Sequence, residues 1–343
     1  MDSPLLTVPD AVAADFPDVG VAAHYGDPFA EQRALAEASG LVDRSNRDVL
    51  RIGGQDRLSW LNSISTQKLD DLAVGEARQT LVLSPHGHVE HHLHLVDDGT
   101  YTWVHVEPGE AASLLEFLES MRFMMRVDSQ DVSGDHAVLT LLGPRIPPDA
   151  ADGAAAVLDF GLATDIVVGR DQVSDVATRL RERGVRLAGM LAHEAMRIAA
   201  HTPRFGTDTD HRTIPHEMGW IGSAVQLNKG CYRGQETVAR VHNLGHPPRR
   251  LVLLHLDGSE DRLPSHGEPV RAGEDADDTT VGFVGSSARH YELGPIALAL
   301  IKRTVPVTAA LRAAGISAAQ EVIVSPDAGA NVKITIGRRR AAT

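Results

Sequence analysis

The chain has 343 residues, 43% hydrophobic and 23% charged, with a formal net charge of −13. That length exceeds a single core, so an ordinary globular protein of more than one domain is expected. The acidic balance argues against general nucleic-acid binding, which needs a basic face to displace counterions. A single cysteine excludes an internal disulfide and any CxxC-type zinc or cluster site.

Helical spacing over Phe29 to Ser39 meets Gly40, read as a C-terminal cap. Val49 to Ile52 reads as a strand, and Gly53-Gly54-Gln55-Asp56 turns into a helix through Trp60 and Leu61, with Asp56 as its cap. Ala77 to Leu83 and His88 to Leu95 flank Ser84-Pro85-His86-Gly87, the pattern of a hairpin. Gly109 to Ser120 is an amphipathic helix, and His136 to Leu142 an apolar strand. Pro144 to Ala156 is a loose connection, after which strands and helices alternate to Val185. Gly245-His246-Pro247-Pro248 is the clearest linker, which divides the chain into 1–245 and 246–343. Beyond it, Leu251 to Leu256, Val281 to Val284, Ile296 to Ile301, Glu321 to Val324 and Val332 to Ile336 suit a small β-barrel. Arg338-Arg339-Arg340 reads as a solvated tail, and Asp70-Asp71 and Asp97-Asp98 as solvated loop charges. Met1 to Phe16 lacks a basic and then apolar leader, and no apolar run reaches the ~20 residues of a membrane span, so a cytoplasmic protein is expected.

The chemistry concentrates in Leu227 to Arg240, which contains the lone cysteine, Cys231. In an extended stretch Lys229 and Cys231 would share one face, and a nearby ammonium favours the thiolate that attacks electrophiles or binds metal. Lysine is scarce here: Lys68, Lys229, Lys302 and Lys333 stand against 29 arginines. The plain alternative is a small buried hydrophobe. His86, His88, Glu90, His92 and His94 would line one face of a strand, but ligands two apart on a flat strand diverge, so no metal site is assigned. His193-Glu194-Ala195-Met196-Arg197 opens like a zincin helix and lacks the second histidine.

The Leu227–Arg240 motif resembles the Lys-Gly-Cys-Tyr-x-Gly-Gln-Glu signature of the YgfZ-type folate-binding proteins, relatives of the glycine-cleavage T-protein that help maintain iron–sulfur enzymes. Leu41-Val42-Asp43-Arg44-Ser45 is similar to that family's early element. Ala195 to Ile198, Phe205 to Asp208 and Ile214 to Glu217 resemble its central run, and Val281 to Ser287 with Leu293 to Ala299 its barrel segment. The resemblance implies an α+β, T-protein-like fold: two α/β lobes around a central channel, then a C-terminal β-barrel. It implies tetrahydrofolate, or a one-carbon derivative, as cofactor, with iron–sulfur client proteins or assembly factors as partners. Cys231 and Lys229 would be the working pair. Arg240 would hold the folate carboxylates, Trp220 would stack on the pterin, and Glu217, Asn62 and Thr66 would bond its edge. Three positions depart from the transferases of the family. His91-His92 replaces an Asp-Asp pair with a catalytic carboxylate, Ala199 replaces a pterin-contacting glutamate, and Cys231 stands where a non-cysteine residue is usual. A folate-dependent one-carbon transferase or demethylase with His91 or His92 as base is therefore the alternative, and a non-catalytic binding scaffold a third.

Overall fold

The computed structural model describes residues 1–273 and 279–331. The sequence expectations for Val332 to Ile336 and Arg338 to Arg340 lie outside the described residues.

The amino-terminal part runs β1 (Ala11–Ala13), β2 (Ala22–Tyr25), α1 (Pro28–Glu37), β3 (Gly40–Asp43), β4 (Asp48–Gly53), α2 (Arg57–Ile64), β5 (Ala77–Leu83), β6 (Val89–Asp97), β7 (Thr102–Val106), α3 (Ala111–Ser120) and β8 (Asp128–Asp131). It continues with β9 (His136–Leu142), β10 (Ala156–Asp159), β11 (Ala163–Gly169), α4 (Val173–Glu182), β12 (Arg186–Ala188) and α5 (Met190–Ala199). Two five-stranded sheets result, in the orders β10-β11-β9-β3-β12 and β5-β6-β7-β4-β8. After a largely irregular stretch come α6 (Gln235–Asn243) and the strands β13 (Arg249–Leu256), β14 (Pro269–Ala272), β15 (Thr279–His290), β16 (Gly294–Lys302), β17 (Leu311–Ala313) and β18 (Ile316–Val322). These six strands close into a barrel. Mixed helices and sheets followed by a closed barrel agree with the α+β order that the sequence resemblance implies.

Alternation of small and branched residues explains the barrel. Leu254, Ala297, Ala299, Ile301, Val284 and Ile316 fill its interior. Leu251, Leu253, Leu298 and Leu300 point the other way, against Leu81, Leu83, Ile198, Trp220 and Val238. That outer face welds the barrel to the second sheet, α5 and the 218–238 segment.

Several local readings are corrected. Gly40 opens β3 rather than capping α1, whose C-cap is Ala38. Asp56 precedes α2 but its side chain bonds no helix amide; the carboxylate accepts from the backbone and guanidinium of Arg126 at 2.7–2.9 Å. The last barrel strand ends at Val322, so Glu321 to Val324 is not a strand of its own. Asp97 is 1% exposed and accepts Arg57 at 2.7 and 2.8 Å and Thr102 at 2.6 Å, so it is a buried partner and not a solvated loop charge. No helix among the described residues is long and apolar enough to cross a membrane.

Candidate functional site

The signature loop is held from behind. Residues 227–230 bend rather than extend, so two-residue alternation does not pair Lys229 with Cys231. Lys229 Nζ instead donates to the backbone carbonyls of Asn62, Ser65 and Gln67 at 2.5, 2.6 and 2.8 Å. Because α2 stops at Ile64, these carbonyls include orphans of its C-terminal turn, where a cation is favoured. Burial pushes the Lys229 amine down to about 8. Cys231 is exposed immediately before α6. Behind it, Gly234 has φ 82°, and a Cβ there would lie 2.6 Å from the Ser84 carbonyl. Only glycine permits the loop to lie this close to the β5–β6 turn.

The side chains assigned by resemblance to a pterin are largely engaged within the protein. Asn62 Oδ1 accepts the Leu69 amide at 3.0 Å. Thr66 Oγ1 donates to the Ala224 carbonyl at 2.7 Å and accepts the Leu81 amide at 2.9 Å. Glu217, fully buried, accepts Arg249 through both oxygens at 2.8 Å and the Ile214 amide at 3.1 Å. Trp220 is 4% exposed, with its ring 4.8 Å from that of His92. Arg240 alone among them lies exposed, on α6.

His91 and His92 point to opposite sides of β6. Nδ1 of His91 lies 2.9 Å from Glu110 Oε2, while Nε2 of His92 lies 3.1 Å from Gln79 Oε1. The His92, His94 and His105 rings form a buried stack, with centroids 4.7 and 4.9 Å apart. Burial, then the Arg47 guanidinium, pulls His92 down to about 3 and His105 to about 4, so both are neutral near pH 7. Arg47 Nε donates to His105 Nδ1 at 2.8 Å.

Arg47 also opens a buried ion-pair cluster that the sequence analysis does not contain. Its other donor meets Glu107, which accepts Arg204 Nε at 2.7 Å. Arg204 grips Asp18 with two bonds of 2.8 and 2.9 Å, and Glu194 accepts Arg197 at 2.5 and 2.7 Å. Arg197 reaches Asp208 at 2.9 Å and Ser286 on the barrel. Burial alone would raise the Glu107 and Glu194 carboxyls, but the arginines outweigh it and hold both ionised. No periodicity announces this cluster, since Asp18 and Arg204 are 186 positions apart.

On one side the cluster floors a cavity of about 640 Å³ between the amino-terminal segment, α1, the start of α5 and the barrel. Phe16, Phe29 and Met190 supply apolar wall, Asp15 and Glu194 carboxylates, and Arg289 and His24 basic groups. The volume suits a drug-sized ligand. Of its polar lining, Glu194 already accepts Arg197 through both oxygens and Arg289 donates to Asp261 at 2.8 Å, so Asp15 and His24 are the groups least engaged within the protein.

Residues 11–148 match the model of the GCVT N-terminal domain. An aminomethyltransferase of Symbiobacterium thermophilum is 27% identical over 287 residues, 73% of this chain and 75% of that one. One of Saccharopolyspora erythraea is 24% identical over 336 residues, 88% and 90% of the two chains. Among solved structures, the glycine cleavage system aminomethyltransferase T of Bartonella henselae superposes with a TM-score of 0.77 at 17% identity, over 93% of this chain and 94% of that one. The matched stretch spans β1 to β9 and contains Arg47, Glu107 and the histidine stack.

Proposed function

We propose that this protein binds tetrahydrofolate or a one-carbon derivative and supports the assembly or repair of iron–sulfur clusters in client enzymes, such as those that modify transfer RNA, through Cys231. The observation that carries the reading is an exposed thiol on a loop whose backbone is fixed from behind by Lys229 and by glycine contacts with the β5–β6 turn. A thiolate there reaches a partner's metal or electrophile while its own backbone stays in place. Lys229 acts on this loop as a positioning group.

The folate, when bound, supplies a reduced pteridine that carries a one-carbon unit. Glu194 and Asp15 would accept from its amino edge, Phe16 and Met190 would exclude water from its faces, and Arg289 and His24 would meet its carboxylates. Arg240, exposed on α6, remains a candidate for a longer glutamyl tail.

The transferase reading rests on one pair, His91 with Glu110 at 2.9 Å, in which a carboxylate orients an imidazole as a base requires. His92 contributes nothing to it, because a neutral ring depressed to about 3 is too weak a base.

The test is activity of a radical iron–sulfur enzyme in cells lacking this protein, complemented with wild type or with Cys231→Ser. Recovery by wild type alone supports the reading. Equal recovery by both removes the thiol from the mechanism, and a normal enzyme in the deletion strain favours the transferase. Calorimetry with reduced folates accompanies it: heat that Asp15→Asn and Arg289→Gln diminish supports the cavity, and no heat leaves a binding scaffold.

A further inference from the structure

The connection from β1 to β2 walls the cavity of about 640 Å³: Val12 to Asp18 line it, together with Met190 and Glu194 of α5 and Ser287 of the barrel. Of residues 12–19 only Asp18 is buried, whereas Phe16 is 90% and Val19 62% exposed. The backbone bonds of this tip stay local, with the Asp18 amide on the Asp15 carbonyl and the Ala14 amide on the Val21 carbonyl, both at 2.9 Å. Its side-chain tie to the rest of the protein is Asp18, which accepts Arg204 at 2.8 and 2.9 Å and Asn46 at 3.1 Å. A segment with so little apolar burial and one polar anchor sits at the low end of local stability.

That anchor is built to release. A buried pair is costly to break when one ion is left behind unpaired. Here Arg204 keeps Glu107 at 2.7 Å and Glu194 at 3.4 Å after Asp18 leaves, and the Asp18 carboxylate passes into water. We propose that residues 14–20 form a lid on the cavity, latched by Asp18 to Arg204, which swings on the β1–β2 pairing to pass a ligand and lays Phe16 over it. The lid suits a ligand with an apolar face, because the exposed Phe16 ring gains burial only against such a surface. Lids of this kind set the rates of ligand entry and exit. The folate proposed above is the expected occupant, and the lid rests on that reading for its ligand alone.

The experiment follows amide hydrogen exchange in the full chain, with the binding kinetics of tetrahydrofolate by stopped flow. In Asp18→Asn, exchange at the Ala14 and position-18 amides should rise roughly tenfold or more, with β9 and α5 unchanged. The association and dissociation rates of tetrahydrofolate should rise together while affinity barely moves, which a plain ligand contact would not produce. Asn46→Ala should show the same changes to a smaller degree, and it decides where Asp18→Asn does not fold. Unchanged exchange at the tip, exchange that spreads into β9, or affinity lost through one rate alone overturns the lid. Binding of tetrahydrofolate at wild-type rates in both variants also overturns it and leaves the folate reading standing. With no tetrahydrofolate bound, the exchange pattern decides the lid, and only the folate reading falls.

Discussion

The signature loop and the buried ion-pair cluster are both rich in charged groups, yet they use them in opposite ways. In the cluster, Glu107, Glu194, Arg197 and Arg204 each meet several partners of opposite sign inside the protein. In the loop, the Lys229 ammonium meets neutral carbonyls and the Tyr232 ring, and the Cys231 thiol faces solvent. The cluster turns charge into cohesion between distant parts of the chain. The loop turns one charge into a rigid mount for a reactive atom.

Variants sharpen this contrast in order of effect. Arg204→Leu leaves Asp18, Glu107 and Glu194 without their shared cation, and breaking a buried pair from one side costs about 3–5 kcal/mol. Denaturant melts should show that loss, and a change below about 1 kcal/mol would mean the cluster is hydrated and weak. Lys229→Met exposes the same carbonyls to an apolar neighbour, and about 1–3 kcal/mol is expected. Its alkylation rate at Cys231 should lose single-exponential behaviour as the loop loosens, and an unchanged single-exponential rate would mean that Lys229 does not hold the loop.

The histidine stack gives the pH dependence. Its folded pKa values lie below the ordinary value near 6.5, at about 3 for His92 and about 4 for His105. The unfolded chain therefore binds more protons, and the neutral rings favour the folded state fully only above about pH 6.5. Stability should fall as pH drops from 6.5 towards 4, and His92→Gln should flatten the slope of stability against pH by about one proton. An unchanged slope would place the titration elsewhere. The smallest thermal effect belongs to Cys231→Ser: within about 0.5 kcal/mol, as for surface changes, while cellular function is lost. A large loss of melting temperature would return the cysteine to a core role.

Periodicity was enough for the hairpin of β5 and β6, for α3 and for most of the barrel, because each element displays its own apolar face within a few residues. The Cys231 loop was legible as chemistry because cysteine, lysine and glycine crowd together there. What surrounds it was not. The carbonyls that hold Lys229 lie more than 160 positions away and belong to the backbone, which has no sequence signature. The same holds for Asp56, whose place before α2 suggests a cap while tertiary contact with Arg126 claims its carboxylate. Glu217 and Thr66 enter as ligand contacts through the family resemblance alone, and the bonds they make to Arg249 and to the Ala224 carbonyl leave no trace in the sequence.

The lysine mount has a practical corollary for footprinting. Acylating reagents need an amine that can swing free, and although burial lets the Lys229 amine shed its proton near pH 8, its three carbonyl contacts hold it in place. Lys302, exposed at the end of β16, and Lys68, partly exposed beside Asp71, should label readily in the native protein. The ratio of label at Lys229 to label at Lys302, read by mass spectrometry, becomes a tag-free gauge of whether the Cys231 loop is seated on α2.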